Sequence, residues 1–379
     1  MQPKLFPKRS LPFTNTSDGG RVLQKTQASL LETDDCPLDH EYLSADDILL
    51  VPRKGILDSR NHAKLQPFIY SSPMDTVTGF DLAKEMVNLS EFPVICRFLE
   101  HDWNTLIDTL DGMKTPFFSV GANETSRFSV EYAVKSRYDK SISIAVDVAH
   151  GDMNKVLKLY ELYSRQEYIH YLMSGTVCTP GAALRVAEAG CTHIRCGVGS
   201  GSACSTRTQT SVGVPQLSAI YRIHRVLQKH GLRDRTYIIA DGGIRFPGDA
   251  VKYLAAGADG IMMGKSFSTS KESAGWKHNR DSWWKFWKSN QLYKRYRGQA
   301  SCDFQVDHYN KKPACAEGET GPIIHPTTTV KEVVEEYRGG VKSALSYLGL
   351  KSMTELNPDN VTFIKITTAA YLEGTPHGT

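Results

Sequence analysis

Short apolar runs alternate with amphipathic segments from about Leu43 to residue 270. Runs rich in β-branched and aromatic residues and bounded by polar clusters are typical of strands, whereas apolar positions three and four apart predict helices. Strand-like runs separated by helix-length connections predict parallel βαβ units. The runs are ADDILLVP (45–52), QPFIYSSPM (66–74), FPVICRF (92–98), TPFFSVGA (115–122), SISIAVDVAHG (141–151), EYIHYLMSG (167–175), CTHIRCGVG (191–199), TYIIADGG (236–243) and ADGIMMGKS (258–266).

The connecting segments predict crossover helices on the outside of a sheet. PGAALRVAEAG (180–190) and FPGDAVKYLAAGA (246–258) have apolar residues at helical spacing and a glycine near the end. Most strand-like runs end in Gly, Ser or Asp, and in a parallel barrel the loops at the carboxyl ends of the strands build the active site. One polar cluster per strand over some eight strands favours a (β/α)₈ TIM barrel over the competing doubly wound open sheet.

Two regions depart from this alternation. In the first, Trp276, Trp283, Trp284 and Trp287 lie among lysines and arginines within 270–297. Such a segment could stack nucleic-acid bases, but a loop or hairpin packed on the barrel or on a neighbouring subunit is the favoured interpretation. The second region, 298–326, is polar and rich in Gly and Pro, which is typical of a mobile flap over a site. We therefore predict an N-terminal extension (1–42), a barrel that includes both regions (43–369) and a C-terminal tail (370–379).

Composition narrows the functional class. The chain has 379 residues, of which 40% are hydrophobic and 23% charged, and its net charge is +4. These values are ordinary for a globular protein and give no reason to expect nucleic acid as a partner. The eight cysteines form no C-x-x-C pair, and neither a signal peptide nor a membrane span is evident. A cytoplasmic, reduced protein that does not bind membranes is the expectation.

The loop GVGSGSACST (197–206) carries the most informative chemistry. Gly199 and Gly201 let backbone N–H groups point inward as an anion-binding nest, with Ser200 and Ser202 as further donors. Such a loop could hold a phosphate and present the thiol of Cys204, which must become a thiolate to act as a nucleophile. The pattern therefore indicates covalent chemistry on a phosphorylated small molecule.

A second phosphate loop follows two later strands. Asp241, Gly242 and Gly243 lie where a strand gives way to a helix, and Gly264 and Lys265 occupy the equivalent place after the next strand. Glycine N–H groups there can bind phosphate, while the Asp241 carboxylate can accept two hydrogen bonds from a ribose diol. Two late strands that donate to one phosphate are common in barrels.

These loops resemble the blocks of the IMP dehydrogenase and GMP reductase family, in that family's order and over roughly residues 43–369. The resemblance implies a (β/α)₈ barrel assembled as a tetramer, in which the cysteine attacks C2 of a purine nucleoside monophosphate and a nicotinamide cofactor exchanges hydride with the substrate. The blocks are SSPMDTVTG (71–79), RCGVGSGSACST (195–206), GVPQLSAI (213–220), IADGGIRFPGDAVKYLAAGADGIMMGKS (239–266), YRG (296–298) and GGVKSALSYLG (339–349).

The resemblance also implies site residues. The implied catalytic residues are Cys204, Thr206 and Glu317. The implied substrate contacts are Ser72, Met74, Ser202, Asp241, Gly242, Gly243, Gly264, Lys265, Tyr296, Gly298, Gln299 and Gly318. The implied cofactor contacts are Arg97, Asp147, Ser343, Ala344, Leu345 and Ser346. Backbone carbonyls of Gly199, Gly201 and Cys204 match the family's monovalent-cation site, which makes potassium plausible. Taken singly, Met74 could fill the core, while Asp75, Asp147 and Thr206 could cap helices.

The flap indicates the direction of the reaction. Dehydrogenases of this family resemble one another in an Arg-Tyr pair on a long flap that activates water, whereas residues 299–316 contain no arginine. The flap is also short, and Glu317 matches the reductase glutamate that protonates departing ammonia. No regulatory insert interrupts the run from SSPMDTVTG to FPVICRF. We therefore expect a GMP reductase that converts GMP and NADPH to IMP, ammonia and NADP⁺.

Several positions point the other way. SSPMDTVT, IADGGIRF and the C-terminal segment resemble the dehydrogenase, Arg97 replaces a lysine of the reductase, and Thr176 replaces an asparagine common to both enzymes. The alternative is an IMP dehydrogenase that converts IMP, NAD⁺ and water to XMP and NADH. A deoxynucleotide or modified purine as substrate and a non-catalytic purine-nucleotide-binding protein also stay open.

Overall fold

A closed barrel of eight parallel strands forms the centre of the computed structural model, which describes residues 41–99, 116–122, 142–275, 278–279 and 292–374. Each strand pairs with the next along the chain, and the last returns to the first, so that Ile69 lies opposite Ile261. The barrel strands are β2 (Ile69–Ser71), β3 (Phe92–Ile95), β4 (Phe117–Val120), β5 (Ile142–Val146), β6 (Ile169–Met173), β7 (His193–Cys196), β8 (Tyr237–Asp241) and β9 (Gly260–Met263).

Two small antiparallel sheets lie outside the barrel. In the first, β1 (Ile48–Leu50) pairs with β13 (Phe363–Lys365). In the second, β11 (Leu292–Arg297) lies between β10 (His278–Asn279) and β12 (Thr320–Ile324). The second sheet joins the end of the tryptophan-containing region to the end of the predicted flap.

Helices cover the outside of the barrel, and each described helix of the barrel wall follows a strand, as the alternation predicts. The helices are α1 (Phe80–Asn88), α2 (Asn154–Ser164), α3 (Pro180–Glu188), α4 (Thr206–Thr210), α5 (Gln216–Lys229), α6 (Pro247–Ala255), α7 (Lys265–Ser268), α8 (Cys302–Tyr309), α9 (Val330–Leu348) and α10 (Thr368–Glu373). Single 3₁₀ turns occur at Ala45–Asp47, Arg60–His62, Arg233–Arg235 and Met353–Glu355.

Local sequence explains where the helices begin and end. The Thr179 hydroxyl accepts a hydrogen bond from the N–H of Ala182, and Pro180 fits the first turn of α3 because its missing N–H has no partner there. Thr329 and Glu332 form a reciprocal capping box at the start of α9. Gly349 ends α9 at φ +66°, a left-handed conformation that glycine adopts without strain.

Aromatic side chains fill the barrel interior. Tyr70 stacks on Phe92 with ring centroids 4.5 Å apart, and His193 lies against Phe117 and Tyr237 at 5.0 and 4.9 Å. Burial lowers the pKa of His193 to about 3, so this imidazole is neutral at physiological pH. The barrel is therefore a packed core, and ligands have access only at its ends.

The structure confirms the (β/α)₈ barrel and excludes the open sheet. Eight of the nine strand-like runs are barrel strands, but the first, ADDILLVP, contributes β1 outside the barrel because its partner β13 comes from the C-terminal segment. Trp276, Trp283, Trp284 and Trp287 lie outside the described residues. The predicted boundary after residue 369 falls within α10. In the described ranges, no helix is long and apolar enough to cross a membrane.

Candidate active site

Loops at the carboxyl ends of four neighbouring strands, β7, β8, β9 and β2, meet at one face of the barrel. A Cβ on Gly242 would lie 2.8 Å from the backbone nitrogen of Gly201, so the loops after β8 and β7 are in direct contact. A Cβ on Gly264 would lie 2.8 Å from the Tyr296 hydroxyl and 2.9 Å from the Met74 sulfur. The glycines permit this close approach, and the fold brings the two predicted phosphate loops together.

A partly buried arginine, Arg207, holds the loop that follows β7. Arg207 donates from Nε to the carbonyl of Val198 at 2.8 Å and from Nη2 to that of Val214 at 2.6 Å. Gly199 has φ +69°, and a Cβ there would lie 2.5 Å from Arg207 Cγ. Arg207 was not among the predicted site residues. Its position directly after Thr206, the last residue of the block 195–206, could have indicated it.

The loops after β7 and β8 are also joined by side chains. Ser200 Oγ donates to the carbonyl of Asp241 at 2.6 Å, and Gln216 Nε2 donates to that of Cys196 at 2.7 Å. Gly242 and Gly243 have φ +82° and +71°, which turns the backbone directly after β8. The loop geometry is therefore fixed by contacts within the chain.

Cys204, Thr206 and Glu317 form a continuous hydrogen-bonded chain. The exposed Cys204 thiol donates to Thr206 Oγ1 at 3.2 Å, and the Thr206 hydroxyl donates to Glu317 Oε2 at 3.0 Å. Thr206 is the first residue of α4, whose N-cap is Ser205, and the Thr206 hydroxyl donates to Glu317. This arrangement can carry a proton between the sulfur, the hydroxyl and the carboxylate.

Backbone pairing places Glu317 beside the cysteine. The N–H of Ser205 donates to the carbonyl of Glu317 at 2.8 Å, and the N–H of Glu319 donates to that of Ala203 at 3.0 Å. Cys204 and Gly318 are thus an antiparallel bridge pair. A Cβ on Gly298 would lie 2.5 Å from the Ala203 carbonyl, so both predicted flap glycines pack on the cysteine loop.

Several of the predicted substrate contacts lie close together beside the cysteine loop. Ser202 Oγ donates to the Tyr296 hydroxyl at 3.4 Å, and Ser72 and Met74 lie with Tyr296 around Gly264. Met74 is only partly buried against the core, so it is available to a ligand. Burial raises the pKa of Tyr296, which keeps its phenol protonated as a hydrogen-bond donor. Lys265 is exposed at the start of α7, on the same side.

Arg195 connects the predicted ribose and cofactor carboxylates. Its Nε donates to Asp241 Oδ2 at 2.7 Å and its Nη1 to Asp147 Oδ1 at 3.0 Å. Burial lowers the pKa of Arg195, but the two carboxylates raise it by more, so the guanidinium stays charged. Asp147 caps no helix. The sequence analysis did not single out Arg195, although a basic residue within a buried strand was a signal.

Asp147 has two further neighbours. Gln299 Nε2 donates to Asp147 Oδ2 at 2.9 Å and to the carbonyl of Pro73 at 2.7 Å. Arg97 Nε lies 3.8 Å from Asp147 Oδ2, and its guanidinium stacks on Phe98 at 3.8 Å. Arg97 and Asp147, predicted as cofactor contacts, are therefore adjacent, and Gln299 lies between them and the loop after β2.

A charged cluster that the sequence analysis missed fixes α8 over this region. Arg297 donates from Nε to Asp75 Oδ2 at 3.0 Å and also binds Asp307. His308 Nε2 lies 3.1 Å from the same Asp75 oxygen, and Phe304 packs edge-on against Phe98 at 4.8 Å. Asp75 thus pairs with β11 and α8 and caps no helix.

Ser343 to Ser346 do not lie at this face. They belong to the end of α9, whose start at Thr329 is near the carboxyl face because Thr328 pairs with Thr269. At 1.5 Å per residue, Ser343 is about 20 Å along the helix from that start. Its hydroxyl accepts a hydrogen bond from Arg60, in the turn before β2. Within one chain, Ser343, Ala344, Leu345 and Ser346 are therefore separate from Asp147 and Arg97.

The carbonyls assigned to a monovalent cation belong to the cysteine loop. The carbonyl of Gly201 accepts the Cys204 N–H at 3.0 Å, so one of the three oxygens already has a partner. Among the described residues, no group of three or more His, Cys, Asp or Glu side chains has the arrangement of a metal site. A monovalent cation bound by the backbone oxygens of this loop therefore stays a prediction.

Comparison with known proteins identifies the group to which these features belong. The family described as "IMP dehydrogenase / GMP reductase domain" matches residues 43–377. Inosine-5'-monophosphate dehydrogenase of Borreliella burgdorferi is 32% identical over 250 residues, which cover 65% of this chain and 60% of that protein. The Bacillus subtilis enzyme of the same name is 34% identical over 273 residues, 68% of this chain and 51% of that protein.

A longer match extends over most of the chain. Inosine-5'-monophosphate dehydrogenase of Aquifex aeolicus is 28% identical over 349 residues, which are 89% of this chain and 66% of that protein. The chain thus spans between about half and two-thirds of the length of these relatives.

Proposed function

The chain belongs to the IMP dehydrogenase / GMP reductase family, and we propose on that premise that it is an oxidoreductase of purine nucleoside monophosphates acting through a covalent bond from Cys204. The observation that carries this proposal is the hydrogen-bonded chain from Cys204 through Thr206 to Glu317. It offers a nucleophile and a proton acceptor within reach of one another, next to two glycine loops that can hold a phosphate.

The residues of the pocket have separate roles in this proposal. Asp241 accepts hydrogen bonds from the ribose diol, while Gly242, Gly243, Gly264 and Lys265 receive the phosphate. Ser72, Met74, Ser202 and Tyr296 surround the purine. The Cys204 sulfur attacks C2 of the ring, and its proton passes through Thr206 to Glu317. Gly298 and Gly318 lie against the cysteine loop from the flap side, and the Gln299 side chain points to Asp147.

The residues around Asp147 fit a nicotinamide dinucleotide. The carboxylate accepts one hydrogen bond from Arg195 and one from Gln299, which leaves acceptor positions for a ribose diol. Arg97 Nε is buried, and it has no hydrogen-bond partner among the described residues. The dinucleotide would supply the hydride acceptor or donor there. Arg97 and Asp147 would hold it, and Ser343 to Ser346 could contribute only from a second copy of the chain.

The similar proteins described above favour the dehydrogenase direction. The Borreliella, Bacillus and Aquifex proteins are all named inosine-5'-monophosphate dehydrogenase. In that direction hydride leaves C2 of IMP for NAD⁺, and water hydrolyses the Cys204 thioimidate to XMP. Glu317 can accept the proton of that water through Thr206, so the geometry provides a base without a flap arginine. This direction replaces the reductase as our first proposal.

A GMP reductase stays the second candidate because of the flap. Residues 299–316 contain no arginine. The preceding arginine in the sequence, Arg297, is bound by Asp75 and Asp307. In the reductase direction, Glu317 and Thr206 protonate the ammonia that leaves C2 of GMP, and NADPH supplies the hydride. Potassium at the carbonyls of Gly199, Gly201 and Cys204 and a homotetramer complete the proposal in either direction.

A spectrophotometric assay at 340 nm separates the candidates. The dehydrogenase predicts a rise in absorbance with IMP and NAD⁺, and no change with GMP and NADPH. The reductase predicts the reverse, a fall in absorbance with GMP and NADPH alone. A protein that binds these nucleotides but changes the absorbance with neither substrate pair, whether ribo- or deoxynucleotides are supplied, would be a purine-nucleotide-binding protein without catalysis.

Glu317→Gln is expected to lower kcat by about 100-fold, because the amide cannot accept the proton that Thr206 transfers. Stopped-flow and steady-state absorbance measure the effect in whichever direction is active. Glu319→Gln is the matched control, since the exposed Glu319 contributes only backbone atoms to the pairing with the cysteine loop. Equal rates for Glu317→Gln and Glu319→Gln would remove Glu317 from the mechanism.

A further inference from the structure

The Gln299 side chain joins two parts of the site that belong to different strands. Its amide nitrogen donates to the carbonyl of Pro73, next to Met74 in the loop after β2, and to Asp147 Oδ2, which follows β5. Both hydrogens of one amide group are thereby used. Gln299 itself is the second residue after β11, at the start of the flap.

The backbone of Gln299 is held independently of this amide. The N–H of Gly298 donates to the carbonyl of Glu319 at 3.1 Å, and Gln305 Nε2 donates to the carbonyl of Gln299 at 2.8 Å. A change of the Gln299 side chain therefore removes the two donated hydrogen bonds and leaves the path of the flap intact.

Asp147 depends on its donors for a defined orientation. Its side chain is 4% exposed, and Arg195 binds Oδ1, whereas Gln299 is, among the described residues, the donor within hydrogen-bond distance of Oδ2. Arg97 lies 3.8 Å from the same Oδ2, too far for a hydrogen bond. Without Gln299, rotation toward Arg97 would give Oδ2 a charged partner and turn the carboxylate away from its present position.

We propose that Gln299 is a positioning residue that orients the Asp147 carboxylate for the dinucleotide and couples this orientation to the seating of the flap. The inference rests on the proposed function, because it takes Asp147 as a dinucleotide contact. It assigns to Gln299 a role toward the cofactor in place of the substrate contact that the family resemblance implies. Loss of the amide weakens dinucleotide binding and leaves purine nucleotide binding unchanged.

Calorimetric titration of a protein that cannot turn over tests this directly. The Cys204→Ala chain, saturated with IMP, is titrated with NAD⁺ and with NADP⁺, and the same is done after adding Gln299→Met. Methionine has nearly the same length and donates no hydrogen bond. We expect about 10-fold weaker binding of the dinucleotide, as for loss of a hydrogen bond to a charged group, and less than a twofold change for IMP.

Gln299→Glu separates hydrogen bonding from packing. At pH 8 a second carboxylate would face Asp147, and we expect dinucleotide binding to weaken more than with methionine. At pH 5.5 a larger share of this side chain is protonated and can donate to Asp147, so the defect is expected to shrink. A purely structural role would give a loss that does not depend on pH.

The outcomes distinguish this inference from the proposed function. If the Cys204→Ala chain binds IMP but neither dinucleotide, the proposed oxidoreductase is wrong. If it binds a dinucleotide equally well with Gln299 or methionine, the proposed function stands and the role of Gln299 is wrong. Gln228→Met, on the exposed surface of α5 beside Arg225, is the control and is expected to change neither affinity.

Discussion

Replacing Cys204 by alanine is expected to lower kcat by at least about 1,000-fold, because the thiol that forms the covalent bond in the proposed mechanism is removed. The loss should appear in the 340 nm assay with whichever substrate pair is active. IMP and GMP should still bind with affinities close to those of the unchanged protein, because Asp241 and the glycine loops are untouched. Calorimetry with each nucleotide measures this separation of binding from catalysis.

Cys315→Ala is the matched control, since Cys315 is an equally exposed cysteine in the flap, where its thiol lies 3.5 Å from Gln209. Its rate should stay within about twofold of the unchanged protein. Iodoacetamide should label both cysteines, and IMP should protect Cys204 alone. Turnover that survives in Cys204→Ala would overturn the covalent mechanism, whatever the direction of the reaction.

Replacing Arg338 by methionine is expected to lower the free energy of unfolding by about 3 kcal/mol at pH 8, because it leaves a buried carboxylate without its cation. Arg338, on α9, donates to Glu91 Oε1 at 2.9 Å and to the carbonyl of Leu89 at 2.6 Å. Glu91 is fully buried, and its Oε2 accepts the N–H groups of Phe68 and Ile69 at the start of β2. Urea unfolding followed by circular dichroism measures the change.

The pH dependence of this loss follows from the pKa of Glu91. Burial raises it from 4.5 to about 7, while Arg338 and the backbone N–H groups lower it. A raised carboxyl pKa favours the folded state at low pH, and this contribution is lost as pH rises through about 7. Without Arg338 the pKa rises further, so the variant should be destabilised more at pH 8 than at pH 5.5.

Two controls test the Glu91 explanation. In Glu91→Gln/Arg338→Met no carboxylate is left to titrate, so the extra loss between pH 5.5 and pH 8 should disappear. Arg225→Met removes an exposed ion pair with Asp359 and should cost less than about 1 kcal/mol at either pH. A loss in Arg338→Met that is the same at both pH values would show that packing of α9, and not the charge of Glu91, sets its size.

The flap shows which features of the candidate site can be predicted from the sequence. Glu317 was implied by the family resemblance because its position in AEGETG matches a family block, and in the structure its carboxylate accepts a hydrogen bond from Thr206, while its catalytic role stays a prediction. The cluster of Asp75, Arg297 and His308 could not be predicted, because Asp75 lies 222 positions from Arg297 and 233 positions from His308 in the sequence. Charge pairing over such distances depends on how the elements pack, which no local pattern records.

Arg195 and Ser343 show the same limit in opposite ways. Arg195 is recognisable in the sequence as a basic residue in a strand. Its ion pairs with Asp147 and Asp241 are not, because they form only in the folded barrel. Ser343 matched a family block, yet α9 carries it to the other end of the barrel. A segment that resembles a family block can have that block's role in an assembled oligomer. The resemblance does not say how far the segment lies from the site within one chain.

The sequence by itself determined the parallel barrel and the glycine turns of the cysteine loop, because strand periodicity, helix caps and glycine turns are local properties of a few neighbouring residues. Glu317 was implied only by the family resemblance. The tertiary structure decided that ADDILLVP lies outside the barrel, that Arg195 joins two carboxylates, and that Gln299 bridges the loop after β2 and Asp147. These features depend on contacts between segments far apart in the chain. Their energies come from burial and charge pairing that exist only once the barrel has closed.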